Sequence, residues 1–178
     1  NSKGKIDKFD QHIETFLLAC LLHDVGHSPF SHTGEKFYNL TSPQTLWEKL
    51  QNKINDPQFF ESPRTGNPHE IMSALEAITY FSIEKEQISF FVRCIIGLKY
   101  KDKTDVRNCF IEILNSSTID VDKLDYLIRD SYYTGFKTIS IDYERLLIIL
   151  KNDVDESEHQ NFDLETIVNR ARVSTDGT

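Results

Sequence analysis

The sequence predicts an all-α protein, on three observations. Apolar residues recur at helical spacing in one segment after another. No stretch sustains the apolar–polar alternation of a half-buried strand. Asn67-Pro68-His69-Glu70 is a strong helix start, with an N-cap Asn, proline at the first helical position and Glu at the third.

Residues 8–24 form the first predicted helix, with Phe9, His12, Ile13, Phe16, Leu17, Cys20 and Leu21 at helical spacing. Its apolar end, Phe16 to Leu22, runs straight into Leu21-Leu22-His23-Asp24-Val25-Gly26-His27-Ser28-Pro29-Phe30-Ser31-His32. A buried helix thus delivers His23 and Asp24 into a site and breaks at Gly26 and Pro29. Helix ends that emerge from a core suit a metal, because packing on one side fixes the ligands. A lone His-Asp pair reads as a hydrogen-bonded core histidine. Three histidines and a carboxylate within residues 23–32 point instead to metal chemistry. His12 lies on about the same face as His23 but roughly 16 Å along the helix, at 1.5 Å per residue. The two cannot share an ion, and His12 is read as a surface or core-edge residue.

Glu35–Leu40 adds a helical turn, and Thr45–Ile54 a short amphipathic helix carrying Trp47. Asp56 to Pro68 holds three prolines and a glycine, and reads as a loop. The helix opened by Asn67 buries Ile71, Leu75, Ile78 and Phe81 and sets His69 in its first turn. There the helix dipole favours anions and disfavours imidazolium. Taken alone, a histidine in that place is by default a surface residue. Ile83–Tyr100, dense in Phe90, Phe91, Val92, Ile95 and Ile96, is a helix central to the core. Thr104–Leu114 gives another, with Val106, Phe110, Ile113 and Leu114 inward.

The next helix starts near Asp120. At about 100° per residue, Val121, Leu124, Leu127 and Ile128 gather on one side. Asp122, Asp125, Tyr126, Arg129 and Asp130 gather on the other, with Lys123 at its edge. Most polar helix faces are merely solvated. This one crowds acids, two bases and a tyrosine into two turns, which suits a carboxylate for a metal, a lysine for phosphate and an aspartate for a sugar hydroxyl. Gly135 stops the helix. Asp142 caps Tyr143–Leu150, Asn152–His159 is an acidic loop, and Phe162–Val173 is a last helix or a fragment of one.

A length of 178 residues predicts one domain with a substantial core. A net charge of −8 argues against an extended nucleic-acid surface, though not against a local basic pocket for phosphates. Cys20, Cys94 and Cys109 are odd in number and form no CxxC pair, so they read as reduced core thiols of a cytoplasmic protein. No apolar run approaches the roughly 20 residues of a membrane span, and no signal peptide is visible. The chain opens on Asn1 and its one methionine is Met72, so it is expected to be an inner piece of a longer protein.

His23-Asp24 followed by a distant Asp122 resembles the HD-domain metal-dependent phosphohydrolases. The longer wording is narrower: His-Asp-Val-Gly-His-Ser-Pro-Phe-Ser-His, then Pro-His-Glu at 68–70, then Asp-Val-Asp-Lys-Leu-Asp-Tyr-Leu-Ile-Arg-Asp at 120–130. These blocks resemble the deoxynucleoside triphosphate (dNTP) triphosphohydrolase branch, over roughly residues 13–145. The resemblance implies an HD-type helical bundle that cleaves dNTPs to deoxynucleoside and inorganic triphosphate. It implies that His23, Asp24 and Asp122 are metal ligands, that Lys123 and Tyr126 touch the triphosphate, and that Asp130 touches the deoxyribose 3′-hydroxyl. His27 and His32 would face the phosphates. His69 would complete the catalytic group with Glu70 behind it, and Glu35 sits where the family carries an acid that orients a histidine.

Histidine and carboxylate ligands suit Mn²⁺, Fe²⁺, Zn²⁺ or Ni²⁺ better than Ca²⁺, with Mg²⁺ as an alternative. A homo-oligomer and a regulatory nucleotide are expected by analogy. Two departures stand out. The family's first metal histidine, in an Arg-x-x-His-Ser type motif, has no counterpart here, and Arg170 and Arg172 lack the family's downstream pattern. With three of the usual four ligands, the chain alone is expected to bind metal weakly and turn over poorly. The alternatives are an HD phosphohydrolase acting on a nucleoside monophosphate, cyclic nucleotide or guanosine polyphosphate, and a non-catalytic nucleotide-binding module.

Overall fold

A computed structural model of the chain describes residues 3–38, 45–116 and 120–135. Among the described residues all regular structure is helical and no strand occurs, as the sequence predicts. The elements are α1 (Lys3–Leu22), two 3₁₀ turns (Ser31–Thr33 and Glu35–Phe37), α2 (Leu46–Gln51), α3 (Pro57–Phe60), α4 (Pro68–Tyr80), α5 (Ile88–Ile96), α6 (Arg107–Asn115) and α7 (Val121–Thr134). The chain divides into two compact units, Asn1–Ile111 and Glu112–Thr178. No described helix is long and apolar enough to cross a membrane.

The core of the first unit is built on α5. Every side chain from Phe90 to Ile96 is buried, so the helix is enclosed on all sides. α1 and α4 pack against it, and α2 packs on α4. Phe16 on α1 meets the Phe110 ring at 5.1 Å, and His12 meets Phe90 at 4.9 Å. His12 is thus a core-edge residue, and burial lowers its pKa. Arg93, 1% exposed, is the one charge inside α5. Its guanidinium lies 3.0 Å from Asp56 Oδ2 and donates to the carbonyls of Leu98 and Lys99. The rings of Phe59 and Tyr100 flank it. A buried cation needs this full set of partners, because leaving one unmet is strongly destabilising.

The structure moves several predicted boundaries. The loop read over Asp56–Pro68 contains α3, because the Asp56 side chain accepts from the Gln58 and Phe59 amides and Pro57 starts the turn. The helix read over Ile83–Tyr100 shrinks to α5, since a turn bonded from Gln87 N–H to Glu84 carbonyl precedes it and Gly97 ends it at φ 69°. α6 starts later than Thr104, where the Asp105 carboxylate accepts from the Arg107 amide. Val106 is exposed and Ile111 takes the inward place. Phe81 falls just past the end of α4 and is exposed, and Ile78 on α4 is only half-buried. The small residues Ser73, Ala74 and Ala77 make up much of its buried face.

The three cysteines form no disulfide; Cys94 is buried, while Cys20 and Cys109 are only partly so. Burial pushes the Cys20 thiol up to about 11 and the Cys94 thiol further, which leaves both weakly nucleophilic.

In the second unit, α7 begins where predicted: the Asp120 side chain caps it, accepting from the Lys123 amide at 2.7 Å. It ends at Gly135, in the left-handed region at φ 66°. The apolar side read for α7 is not fully buried, with Val121 and Ile128 exposed. The predicted helices Tyr143–Leu150 and Phe162–Val173, the Asp142 cap, the loop Asn152–His159, and Arg170 and Arg172 lie outside the described residues.

Candidate active site

Leu22 is the last residue of α1, and the chain leaves the helix through a turn at residues 23–26. His23 Nδ1 lies 2.8 Å from the Cys20 carbonyl oxygen. A carbonyl can only accept, so Nδ1 carries a proton and Nε2 is the ring nitrogen available to a ligand. Nε2 lies 3.6 Å from Asp24 Oδ2. A ring oriented by a carbonyl through its Nδ1–H, with Nε2 left beside a carboxylate oxygen that could share an ion with it, is the arrangement of a metal-ligating histidine. The donor chemistry of His23 and Asp24 therefore fits a divalent transition metal.

Gly26 comes next, and only glycine fits there: a Cβ would lie 2.2 Å from the Ser73 amide nitrogen on α4. The loop then turns back sharply. Phe30 and Ser31 both adopt left-handed backbone (φ 66° and 53°), at a cost of about 1–3 kcal/mol each. The Ser28 hydroxyl holds the bend by donating to the Ser31 carbonyl at 2.6 Å. The result returns His32 to His27, with ring centroids 5.2 Å apart.

Glu35 joins the two halves of this cluster. Its Oε1 accepts from His32 Nδ1 at 2.6 Å and from His69 Nδ1 at 2.9 Å. Burial alone would raise the Glu35 pKa, but the hydrogen bonds from both imidazoles outweigh it and hold the carboxyl below its ordinary range. His69 stacks on His27 at 4.2 Å with 12° between ring planes, and His32 meets His69 edge-on at 5.0 Å. Ligand atoms of His27, His32, Glu35 and His69 all lie within 4.8 Å of one another. His27 Nε2 is also 3.4 Å from Asp24 Oδ1, which connects this group to the His23–Asp24 pair. A carboxylate shared by two imidazoles, each with Nε2 directed away from it, suits proton transfer to or from a bound substrate.

Two features differ from the sequence reading. His69 is buried rather than on the surface. Glu70 does not orient it closely: its carboxylate accepts from the Asn67 amide at 2.6 Å and the Asn67 side chain at 3.0 Å, and stays 4.0 Å from His69 Nε2. The residue that orients His69 is Glu35, 34 positions earlier. Spacing pairs Glu35 with His32 but carries no signal for His69.

In the second unit, Asp122 lies in the first turn of α7, and Tyr126 and Asp130 follow at i+4 and i+8, on one side of the helix. Lys123 Nζ is 3.1 Å from Asp120 Oδ2 and 3.2 Å from the Ser116 carbonyl. Arg129 pairs with Asp125 at 2.6 Å.

Residues 4–107 match the HD domain family. The chain is 30% identical over 154 residues to the uncharacterized protein YwfO of Bacillus subtilis (strain 168), covering 86% of this chain and 29% of that protein. It is 31% identical over 143 residues to the human deoxynucleoside triphosphate triphosphohydrolase SAMHD1, covering 73% of this chain and 22% of that protein. The MG461 homolog of Mycoplasma pneumoniae (strain ATCC 29342 / M129 / Subtype 1) is 32% identical over 134 residues, covering 75% of this chain and 28% of that protein. The chain thus spans less than a third of the length of these relatives. No solved structure is significantly similar to it. With the family match extending over the turn that carries His23 and Asp24 and over the helix that carries His69, the chain belongs to the HD-domain family.

Proposed function

We propose that this chain is the catalytic part of a metal-dependent phosphohydrolase that cleaves dNTPs to deoxynucleoside and inorganic triphosphate. The observation that carries this reading is the Glu35 carboxylate shared by His32 and His69, beside the His23–Asp24 pair. In this reading Asp122 joins His23 and Asp24 as a metal ligand, as the family resemblance implies. A divalent ion held there would supply Lewis-acid polarisation of a phosphoryl oxygen. His27, His32 and Lys123 offset the charge of the triphosphate, Tyr126 holds it in place, and Asp130 accepts from the 3′-hydroxyl of the deoxyribose. Water adds at the α-phosphorus and the bond from that phosphorus to the 5′-oxygen breaks. The departing 5′-oxygen takes a proton from the His32–Glu35–His69 relay, and the proton lost by the attacking water restores it, with Glu70 fixing the start of α4 behind His69. Human SAMHD1, similar over 73% of this chain, supports dNTPs as the substrate class. A homo-oligomer and a regulatory nucleotide belong to the same proposal by that likeness.

The test is product analysis of the full-length protein with each dNTP. Inorganic triphosphate released one-for-one with deoxynucleoside is the expected result. Pyrophosphate or monophosphate as the product, or turnover only of cyclic nucleotides, nucleoside monophosphates or guanosine polyphosphates, would replace the substrate class. Tight nucleotide binding without any turnover would make the chain a binding module. In the active protein, Asp122→Ala is expected to remove both bound metal, by elemental analysis, and activity.

A further inference from the structure

The peptide of Gly26 is held from both sides. Its N–H donates to Ser73 Oγ at 2.8 Å, and its carbonyl accepts from the Tyr38 hydroxyl at 2.7 Å. Ser73 is fully buried on α4, and Gly26 approaches the α4 backbone so closely that no side chain fits between them. A buried hydroxyl in the middle of a helix weakens packing unless it answers a specific partner. Here that partner is one amide in the turn between Asp24 and His27. Ser73 also lies one helical turn after His69, on the same side of α4. The hydrogen bond that fixes Gly26 therefore fixes His27 against His69, and the two rings stack at 4.2 Å.

We propose that Ser73 and Tyr38 are positioning residues that clamp the Gly26 peptide and so set the register between the His23–His27 turn and α4. Neither touches the substrate; both act through Gly26. The clamp rests on the phosphohydrolase reading for its effect on turnover, but its effect on the rings is read without any substrate.

The experiment compares Ser73→Ala, Tyr38→Phe and Ile95→Val in the full-length protein. Ile95→Val shaves the core of α5 and serves as the control for general destabilisation. Removing one buried hydrogen-bond partner is expected to lower kcat about tenfold in Ser73→Ala, with KM within about twofold and bound metal unchanged. Tyr38→Phe is expected to act in the same direction, and Ile95→Val to keep kcat while losing Tm to a comparable degree. The imidazole NMR signals of His27 and His69 are expected to shift in Ser73→Ala and Tyr38→Phe as the stack opens, and to stay in place in Ile95→Val. Unmoved ring signals in both clamp variants would overturn the proposal. So would a loss of kcat in Ser73→Ala no larger than that in Ile95→Val. A wild-type protein that hydrolyses no nucleotide would sink the functional reading alone, and the ring signals would still decide the clamp.

Discussion

Replacing Glu35 by glutamine is expected to slow turnover far more than it weakens substrate binding. The carboxylate accepts two charge-assisted hydrogen bonds on one oxygen, at 2.6 and 2.9 Å. A neutral amide at that place weakens each by about 1 kcal/mol, the difference between charged and neutral hydrogen bonds. Two such losses amount to about 2 kcal/mol, or roughly 30-fold in rate at 1.36 kcal/mol per decade. A glutamine whose amino group faces either Nδ1 would also turn that ring to the wrong tautomer, which extends the range to about 10³-fold. The assay is initial-rate dNTP hydrolysis in the full-length protein, with kcat and KM determined separately across pH. A Glu35→Gln protein that keeps more than about a third of wild-type kcat would refute the relay. Stability gives a second readout. The Glu35 carboxyl is held below its ordinary range, so its contribution is complete above the unfolded value of about 4.3. It is lost as pH falls through the lower, folded value. Glu35→Gln is expected to remove that part of the acid-side loss in urea unfolding.

Three further outcomes follow from the packing. Gly26→Ala places a methyl 2.2 Å from the Ser73 amide nitrogen, so the turn must lift from α4. A stability loss of at least about 1–3 kcal/mol by urea unfolding, with loss of activity, is expected. Arg93→Met strands the Asp56 carboxylate, which is only 17% exposed, and is expected to cost about 3–5 kcal/mol in the same measurement. Burial alone would raise the Asp56 pKa, but hydrogen bonds from Ser89 and Arg93, with the Arg93 charge, hold it below the ordinary range. The stability this pair adds is present above the unfolded carboxylate value and is lost as pH falls through the folded one. Arg93→Met is therefore expected to flatten the acid limb of the wild-type stability curve. Thr45→Ala removes a side-chain acceptor for the Glu48 amide in the α2 capping box, at a cost of about 1 kcal/mol.

The all-α class, the cap at Asn67 and the central place of Phe90–Ile96 could be read directly from the chain, because helical periodicity and capping are local in sequence. The His23–Asp24 turn was nearly as legible, since an apolar helix broken near Gly26 needs no distant partner to be recognised, although α1 ends at Leu22 rather than at Asp24. The start of α7 at Asp120 was also readable, for the same local reason. The boundaries went astray where a distant side chain decides them. Asp56 caps α3 while pairing with Arg93, 37 residues later, and nothing in the spacing of Asp56–Pro68 records that pairing.

The sequence by itself determined which residue types are present for phosphohydrolase chemistry: three imidazoles and an aspartate at 23–32, a histidine opening α4, and an acidic and basic face on α7. Only the tertiary structure decided that Glu35 serves His69 as well as His32, and that His69 is buried against His27. Each of these depends on α4 crossing the turn after α1 at the bare backbone of Gly26. That contact joins residues 47 apart. Periodicity and capping report only what lies within a few residues, so a crossing of this kind is settled by packing alone.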